Sequence, residues 1–175
     1  MEALTFIVKT LLSLVLFVML LRVLLQWARA DFRNPLAQAV VRLTNWLVLP
    51  LRRVLPPVRR IDTASIVAVV IVVLAEIAIL YAMRFGGLPP PLTWLREAAL
   101  ELVRTTLWLY FYAIILYALL SLIAAGGYSP FQSVLAALCE PVLRPFRRLI
   151  PNLAGLDLSP LWALIAIQAI LILIA

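Results

Sequence analysis

The chain has no histidine, a single cysteine (Cys139), one lysine (Lys9) and five glycines, four of them in the pairs Gly86-Gly87 and Gly126-Gly127. Each scarcity removes a class of chemistry. Without histidine there is no imidazole acid–base catalysis at neutral pH, haem would have only Cys139 and three methionines as axial ligands, and a zinc site would have to be built almost wholly of carboxylates. One cysteine cannot form a disulfide within the chain, and Cys139 reads as a small buried hydrophobe. No glycine-rich phosphate-cradling loop is present, and no nucleophile–base pair is visible. No cofactor and no metal are expected. Charge is scarce too, at 13% of residues, while 66% of the 175 residues are hydrophobic. Mean hydropathy is +1.11. A soluble domain this small cannot bury two thirds of its residues, so the sequence describes an integral membrane protein.

What is present is long apolar runs and arginine. Four runs approach the ~20 residues needed to cross a hydrocarbon core of ~30 Å: residues 4–28, 63–83, about 99–125 and 158–175. The first lacks an early cation and is broken by Arg22, so it reads as a span, not a cleaved signal peptide. Net charge is +7, with 14 arginines. On a soluble protein this balance would suggest nucleic acid; on a membrane protein it points to cytoplasmic loops and anionic headgroups. Segment 29–62 carries seven arginines and segment 126–157 carries three, whereas the loop after the second run holds only Arg84 and Arg96 with Glu97. The positive-inside rule then makes both arginine-rich segments cytoplasmic and both termini periplasmic.

Sliding the chain by 95 residues aligns its halves without a gap: Pro35 with Pro130, Pro50 with Pro145, Arg52-Arg53 with Arg147-Arg148, Pro56 with Pro151, and Asp62 with Asp157. The pattern predicts an all-α membrane protein of four transmembrane helices. These form two parallel repeats of span, short interfacial or re-entrant helix, Pro-Arg-Arg-Pro turn and span, at residues 1–85 and 96–175 with 86–95 connecting them. Asn34-Pro35 and Ser129-Pro130 read as cap plus first helical residue. The short helices are expected near 35–49 and 130–140, ended by Pro50 and by Pro141 or Pro145. Asp62 with Thr63, and Ser159 with Pro160, start the second span of each repeat.

The string from Glu140 to Pro160, Glu-Pro-Val-Leu-Arg-Pro-Phe-Arg-Arg-Leu-Ile-Pro-Asn-Leu-Ala-Gly-Leu-Asp-Leu-Ser-Pro, together with Gln168 in the last run and the duplicated layout, resembles the YggT (YlmG) family of small bacterial and plastid membrane proteins. The first repeat departs from the pattern, with Arg59-Arg60 where the second has Ala154-Gly155. The resemblance implies a multi-pass protein of the bacterial inner membrane. It implies no defined biochemical activity: relatives are linked to osmotic or potassium homeostasis, to cell division, and to cytochrome b6 maturation or nucleoid distribution in plastids.

The polar residues define the candidate sites. Arg52, Arg53, Arg147 and Arg148 could anchor the chain to lipid, form an anion site beside the following helix N-termini, or pair with Asp62 and Asp157 to latch each turn. The latch is the favoured reading. Glu76 lies deep in the second run, where a lone carboxylate is costly, and Lys9 or Arg104 is its expected partner. Arg22, Gln26, Arg29 and Arg33 follow i, i+4, i+7, i+11, a stripe that should pack on the short helices and the Asp62 or Asp157 caps. Gln168 is expected to hydrogen-bond between helices, and Trp108, Tyr110, Phe111, Tyr112 and Tyr117 to form a lipid-facing or interfacial belt.

The expected function is therefore non-enzymatic: a scaffold supporting osmotic or ionic stress tolerance or membrane-complex assembly, with a potassium or proton channel or transport component as the alternative. Its expected partners are anionic lipid and other membrane proteins or further copies of the chain, with no direct nucleic-acid role. The topology is testable by cysteine accessibility. Single cysteines at Leu55 and Pro90 should react from opposite sides of the membrane; reaction from the same side refutes the arrangement.

Overall fold

The computed structural model describes residues 2–55, 62–123, 130–149 and 157–174. These form six helices: α1 (Glu2–Trp27), α2 (Pro35–Val54), α3 (Thr63–Phe85), α4 (Pro91–Ile123), α5 (Pro130–Leu149) and α6 (Ser159–Leu173). No strand occurs among the described residues. Three helices, α1, α3 and α4, are long and apolar enough to cross a membrane. α6 is equally apolar but has 15 residues, a length of about 22 Å at the α-helical rise. The expected fourth span is thus a short helix by this measure. α4 also differs from expectation: it starts at Pro91, not near residue 99, because Pro91 supplies a ready first helical residue. The connection narrows to residues 86–90. Gly86 closes α3 in the left-handed region (φ 75°) and donates its N–H to the Ala82 carbonyl, a conformation open to glycine without a Cβ clash.

The second correction concerns the prolines. α2 runs through Pro50, and α5 runs through Pro141 and Pro145. Each is a 20-residue helix, longer than the expected 35–49 and 130–140. Pro50 and Pro145 lie on exposed surface, so the carbonyl that each leaves without its usual donor can turn to water or headgroups. Arg52, Arg53, Arg147 and Arg148 consequently sit in the last turns of their helices, where cations oppose the negative end of the helix dipole. They are helical residues, not turn residues. Pro56, Pro151, Arg59, Arg60 and the Gly126-Gly127 pair lie outside the described residues.

The chain divides into two compact units, Met1–Val23 with Val40–Thr106, and Leu24–Ala39 with Leu107–Ala175. In the first, α3 buries Ala64, Ser65, Ala68, Val69, Val72, Val73 and Glu76, a stripe at helical spacing whose small members allow close backbone approach. The Trp94 indole N–H donates to the Leu74 carbonyl at 2.9 Å, tying the start of α4 to α3. In the second unit α5 packs on α6. α5 buries Val134, Leu135, Leu138, Cys139 and Leu143; α6 buries Ser159, Pro160, Ala163, Ile167 and Leu171. The Asn34 carboxamide caps α2 by accepting the Leu36 N–H at 3.0 Å, and its Nδ2 donates to the Pro130 carbonyl at 2.6 Å. Ser129 lies outside the described residues.

Replacing Trp94 by Phe keeps an aromatic ring, smaller than the indole, and removes one hydrogen bond. It should cost about 1 kcal/mol, read as a lower melting temperature of the purified protein in detergent; an unchanged melting temperature would mean the indole bond contributes nothing.

Candidate polar clusters

The first unit contains a buried polar cluster built around Arg22. This arginine lies in an apolar helix and is 1% exposed. A guanidinium in such a place must be met by acceptors or it destabilises the fold by several kcal/mol. α2 supplies them. Arg22 Nη1 donates to Thr44 Oγ1 at 2.7 Å, Asn45 Oδ1 at 3.0 Å and the Val41 carbonyl at 3.4 Å. Thr44 can accept because its own proton goes back along the helix to the Val40 carbonyl, at 2.7 Å. Arg22 Nη2 lies 3.8 Å from Asp62 Oδ2. Asp62 also receives a two-pronged contact from Arg52, Nε to Oδ1 at 3.3 Å and Nη2 to Oδ2 at 2.5 Å, and the Ser65 hydroxyl at 2.6 Å. Asp62 is the N-cap residue of α3. Its carboxylate is turned to the arginines and Ser65 instead of the backbone of the first helical turn.

The second unit carries a cluster on Arg147. Its Nε donates to Asp157 Oδ2 at 2.9 Å, Nη1 to Glu140 Oε2 at 2.6 Å, and Nη2 to the Tyr117 hydroxyl at 3.1 Å. Asp157 Oδ1 accepts the Ser159 N–H at 2.9 Å, which fixes the start of α6. Partial burial alone would push the Asp157 carboxyl up; the hydrogen bond from the Ser159 N–H and the Arg147 guanidinium outweigh it and hold the group below its ordinary range. Burial likewise works against the Arg147 charge, but the bonds to Asp157 and Tyr117 win and raise it. Burial pushes the Cys139 thiol up to about 12 by desolvation, with Arg147 opposing.

The two clusters occupy corresponding positions. Arg22, Asn45, Arg52 and Asp62 differ by 95 from Tyr117, Glu140, Arg147 and Asp157 respectively. In both, the arginine at the end of an amphipathic helix reaches the aspartate ten residues on, just before an apolar helix. The chemistry of the other two positions is exchanged: a cation and a neutral amide in one unit, a neutral phenol and an anion in the other. Formal charges are +1 (Arg22, Arg52, Asp62) and −1 (Glu140, Arg147, Asp157).

Other expected contacts differ. Glu76 is 1% exposed, and it accepts a 2.6 Å hydrogen bond from the Ser13 hydroxyl at Oε1. Its Oε2 is buried and has no hydrogen-bond partner among the described residues. It forms no ion pair with Lys9 or Arg104 there. Lys9 is exposed, and Arg104 pairs with Glu101 at 3.2 Å, one turn along its own helix. Ser13 lies four residues past Lys9, on the same helical face, and that spacing was its only signal. The Arg22 stripe does not continue, because α1 ends at Trp27 and Arg29 adopts a left-handed φ of 54°. Tyr110 is buried and so lies outside the expected belt, while the half-buried Tyr117 accepts a hydrogen bond from Arg147. Trp108 stacks on Tyr112, with centroids 5.5 Å apart. Gln168 is exposed and forms no hydrogen bond among the described residues. Arg53 and Arg148 are exposed, with no ion pair among the described residues. Ser159 is buried with its hydroxyl unpartnered. The places of Thr44, Ser65, Tyr117 and Glu140 in these clusters are not evident from the sequence pattern of each helix, although the 95-residue offset applied to Arg22 and Asn45 points directly to Tyr117 and Glu140.

The clusters should differ in strength. Arg22→Met removes the buried cation and leaves Asn45 short of a donor, and should cost about 3 kcal/mol. Arg147→Ala acts at a half-exposed site and should cost about 1 kcal/mol. Thermal unfolding in detergent ranks them; equal losses would refute the difference. Asp157 has a depressed folded-state pKa, so its stabilisation is complete above the unfolded carboxyl value of ~3.9 and is lost as pH falls through the lower folded value. Asp157→Asn should therefore reduce the loss of stability on acidification, measured from melting temperatures across that range.

The comparisons with known proteins agree over nearly the whole chain. The CCB3/YggT family model matches residues 1–83 and 97–175. A Pseudomonas aeruginosa relative is 42% identical over 94% of this chain and 84% of its own length. The Escherichia coli K12 protein YggT is 38% identical over 92% of this chain and 83% of its own. A Vibrio alginolyticus relative is 37% identical over 96% of this chain and 91% of its own. No solved structure matches the chain significantly. With the family model covering both halves, the chain belongs to the CCB3/YggT family.

Proposed function

We propose that the protein is a non-enzymatic inner-membrane scaffold that supports osmotic or ionic stress tolerance or the assembly of membrane complexes. In this reading α1, α3, α4 and α6 cross the bilayer as two parallel repeats with both termini periplasmic. α2 and α5 lie at the cytoplasmic interface, contacting anionic headgroups and membrane-protein partners. The observation that carries it is the recurrent arginine–aspartate pair, Arg52–Asp62 and Arg147–Asp157. Each pair ties the basic end of an amphipathic helix to the start of an apolar one. Arg42, Arg53, Arg144 and Arg148 remain exposed beside these ties, and none forms an ion pair among the described residues. Tied helices with outward cations suit a fixed basic surface facing lipid or protein. The transport alternative has its own support in Glu76, a buried carboxylate with one oxygen unpartnered, the residue an ion or proton path would use.

The two arginines of each pair separate fold from function. Arg52→Ala with Arg147→Ala should lower accumulation of the protein in membranes. Arg53→Ala with Arg148→Ala should leave accumulation unchanged and abolish growth support of a deletion strain under hyperosmotic or potassium-limited conditions. Glu76→Gln should be nearly silent in that strain. If purified protein in liposomes instead carries potassium or protons and Glu76→Gln changes the flux by about tenfold or more, the scaffold reading is replaced by the transport one.

A further inference from the structure

We propose that α6 is a self-association surface, and that a second copy of this chain covers it through the Gln168 side chain. Leu161, Ile165 and Ile172 are 54%, 51% and 70% exposed, and Gln168 is exposed between them. These residues follow i, i+4, i+7 and i+11, so at 100° per residue they fall within about 60° of one another. They form a seam distinct from the buried Ala163, Ile167 and Leu171. Exposed apolar side chains on a membrane helix need no partner, because lipid serves. An exposed carboxamide does need one. Gln168 is the tenth residue of the 15 in α6, about 14 Å from the helix start and about 8 Å from its last residue; side chains on a helix lean toward its N-terminus, so the amide is directed back into the span and away from the nearer headgroups. It forms no hydrogen bond among the described residues.

The occupant follows from the chemistry of the amide. A carboxamide both donates and accepts, so it is complementary to itself. Two copies inserted the same way present Gln168 at the same depth, and a two-fold axis along the membrane normal brings like residues together. Two amides can then exchange reciprocal hydrogen bonds, while Leu161, Ile165 and Ile172 pack around them as in a heptad seam with one polar position. A carboxylate or cation at this position would repel its own copy; the neutral, two-sided amide does not.

The inference rests on the reading that α6 crosses the bilayer, so the test separates the two. In a Cys139→Ala background, single cysteines are placed at Ile165, Gln168 and Ile170 in native membranes and oxidised with copper-phenanthroline. Ile170 is the control: it is 44% exposed but lies about half a turn from the seam. Cysteines at 165 and 168 should give a product of twice the monomer mass and the cysteine at 170 should not. With donor- and acceptor-labelled protein diluted into liposomes of rising lipid content, Gln168→Leu should raise the dissociation constant about fivefold to tenfold, the scale of interhelical side-chain bonds, and Gln168→Asn should restore part of the affinity. Equal cross-linking at 165 and 170, cross-linking only to a product of another mass, or an unchanged dissociation constant in Gln168→Leu would overturn the proposal. A membrane-impermeant maleimide should fail to label position 168; labelling would remove α6 from the bilayer and the dimer with it, whereas an unlabelled but uncross-linked residue refutes the dimer alone.

Discussion

The constraint on which the structure depends is the cost of placing a charge among apolar helices. The protein keeps few charges, and those placed among apolar helices draw polar groups from their neighbours. Arg22 is the clearest case. It sits in a helix that is otherwise almost wholly apolar, and its guanidinium draws three acceptors from α2 and lies within ion-pair range of Asp62. The acceptors determine which side of α2 faces Arg22. The aspartate brings Arg52 and Ser65 into the same cluster. Helix placement in this unit follows from satisfying one buried cation, since apolar contacts alone would not distinguish helix rotations whose surfaces are equally greasy.

The other unit answers the same constraint with different atoms. Here the aspartate lies further out, Asp157 at 34% exposed against 8% for Asp62, and the three donors of Arg147 reach Asp157, Glu140 and Tyr117. The constant element is the arginine–aspartate pair across ten residues. The variable element is the balance around it, an extra cation in one unit and an extra anion in the other. The surplus cation of the first unit, Arg22, is buried and needs neutral acceptors such as Thr44 and Asn45; the surplus carboxylate of the second, Glu140, is 53% exposed, and water screens it. The difference in burial is thus matched by the difference in chemistry.

Proline has a use here other than stopping helices. Pro50 and Pro145 sit two residues before Arg52 and Arg147, inside helices that continue past them. The continued turn is what carries the arginines to their aspartates. Had the helices ended at these prolines, the guanidinium groups would have left from irregular backbone with no defined direction. The outward side of the same turns leaves Arg53 and Arg148 exposed, so one pair of adjacent cations divides between a structural and a surface position.

Much was determined by sequence alone. Hydrophobic runs mark α1, α3 and α4 because membrane crossing is a matter of length and polarity, properties local to each segment. The 95-residue offset places the arginine–aspartate pairs in matching positions, and the family follows from the long motif around them. Helix ends were less legible. Proline signals a stop through a lost hydrogen bond, but whether that loss matters depends on which side of the helix it falls, a fact of packing. The partners of buried polar groups were decided only by tertiary structure. Glu76 faces Ser13 and not Lys9 or Arg104, and Arg22 faces Thr44 and Asn45, because helix rotation and depth choose among groups that the sequence presents as equals. Cost in an apolar medium tells a reader that a partner must exist; only the packed helices decide which one.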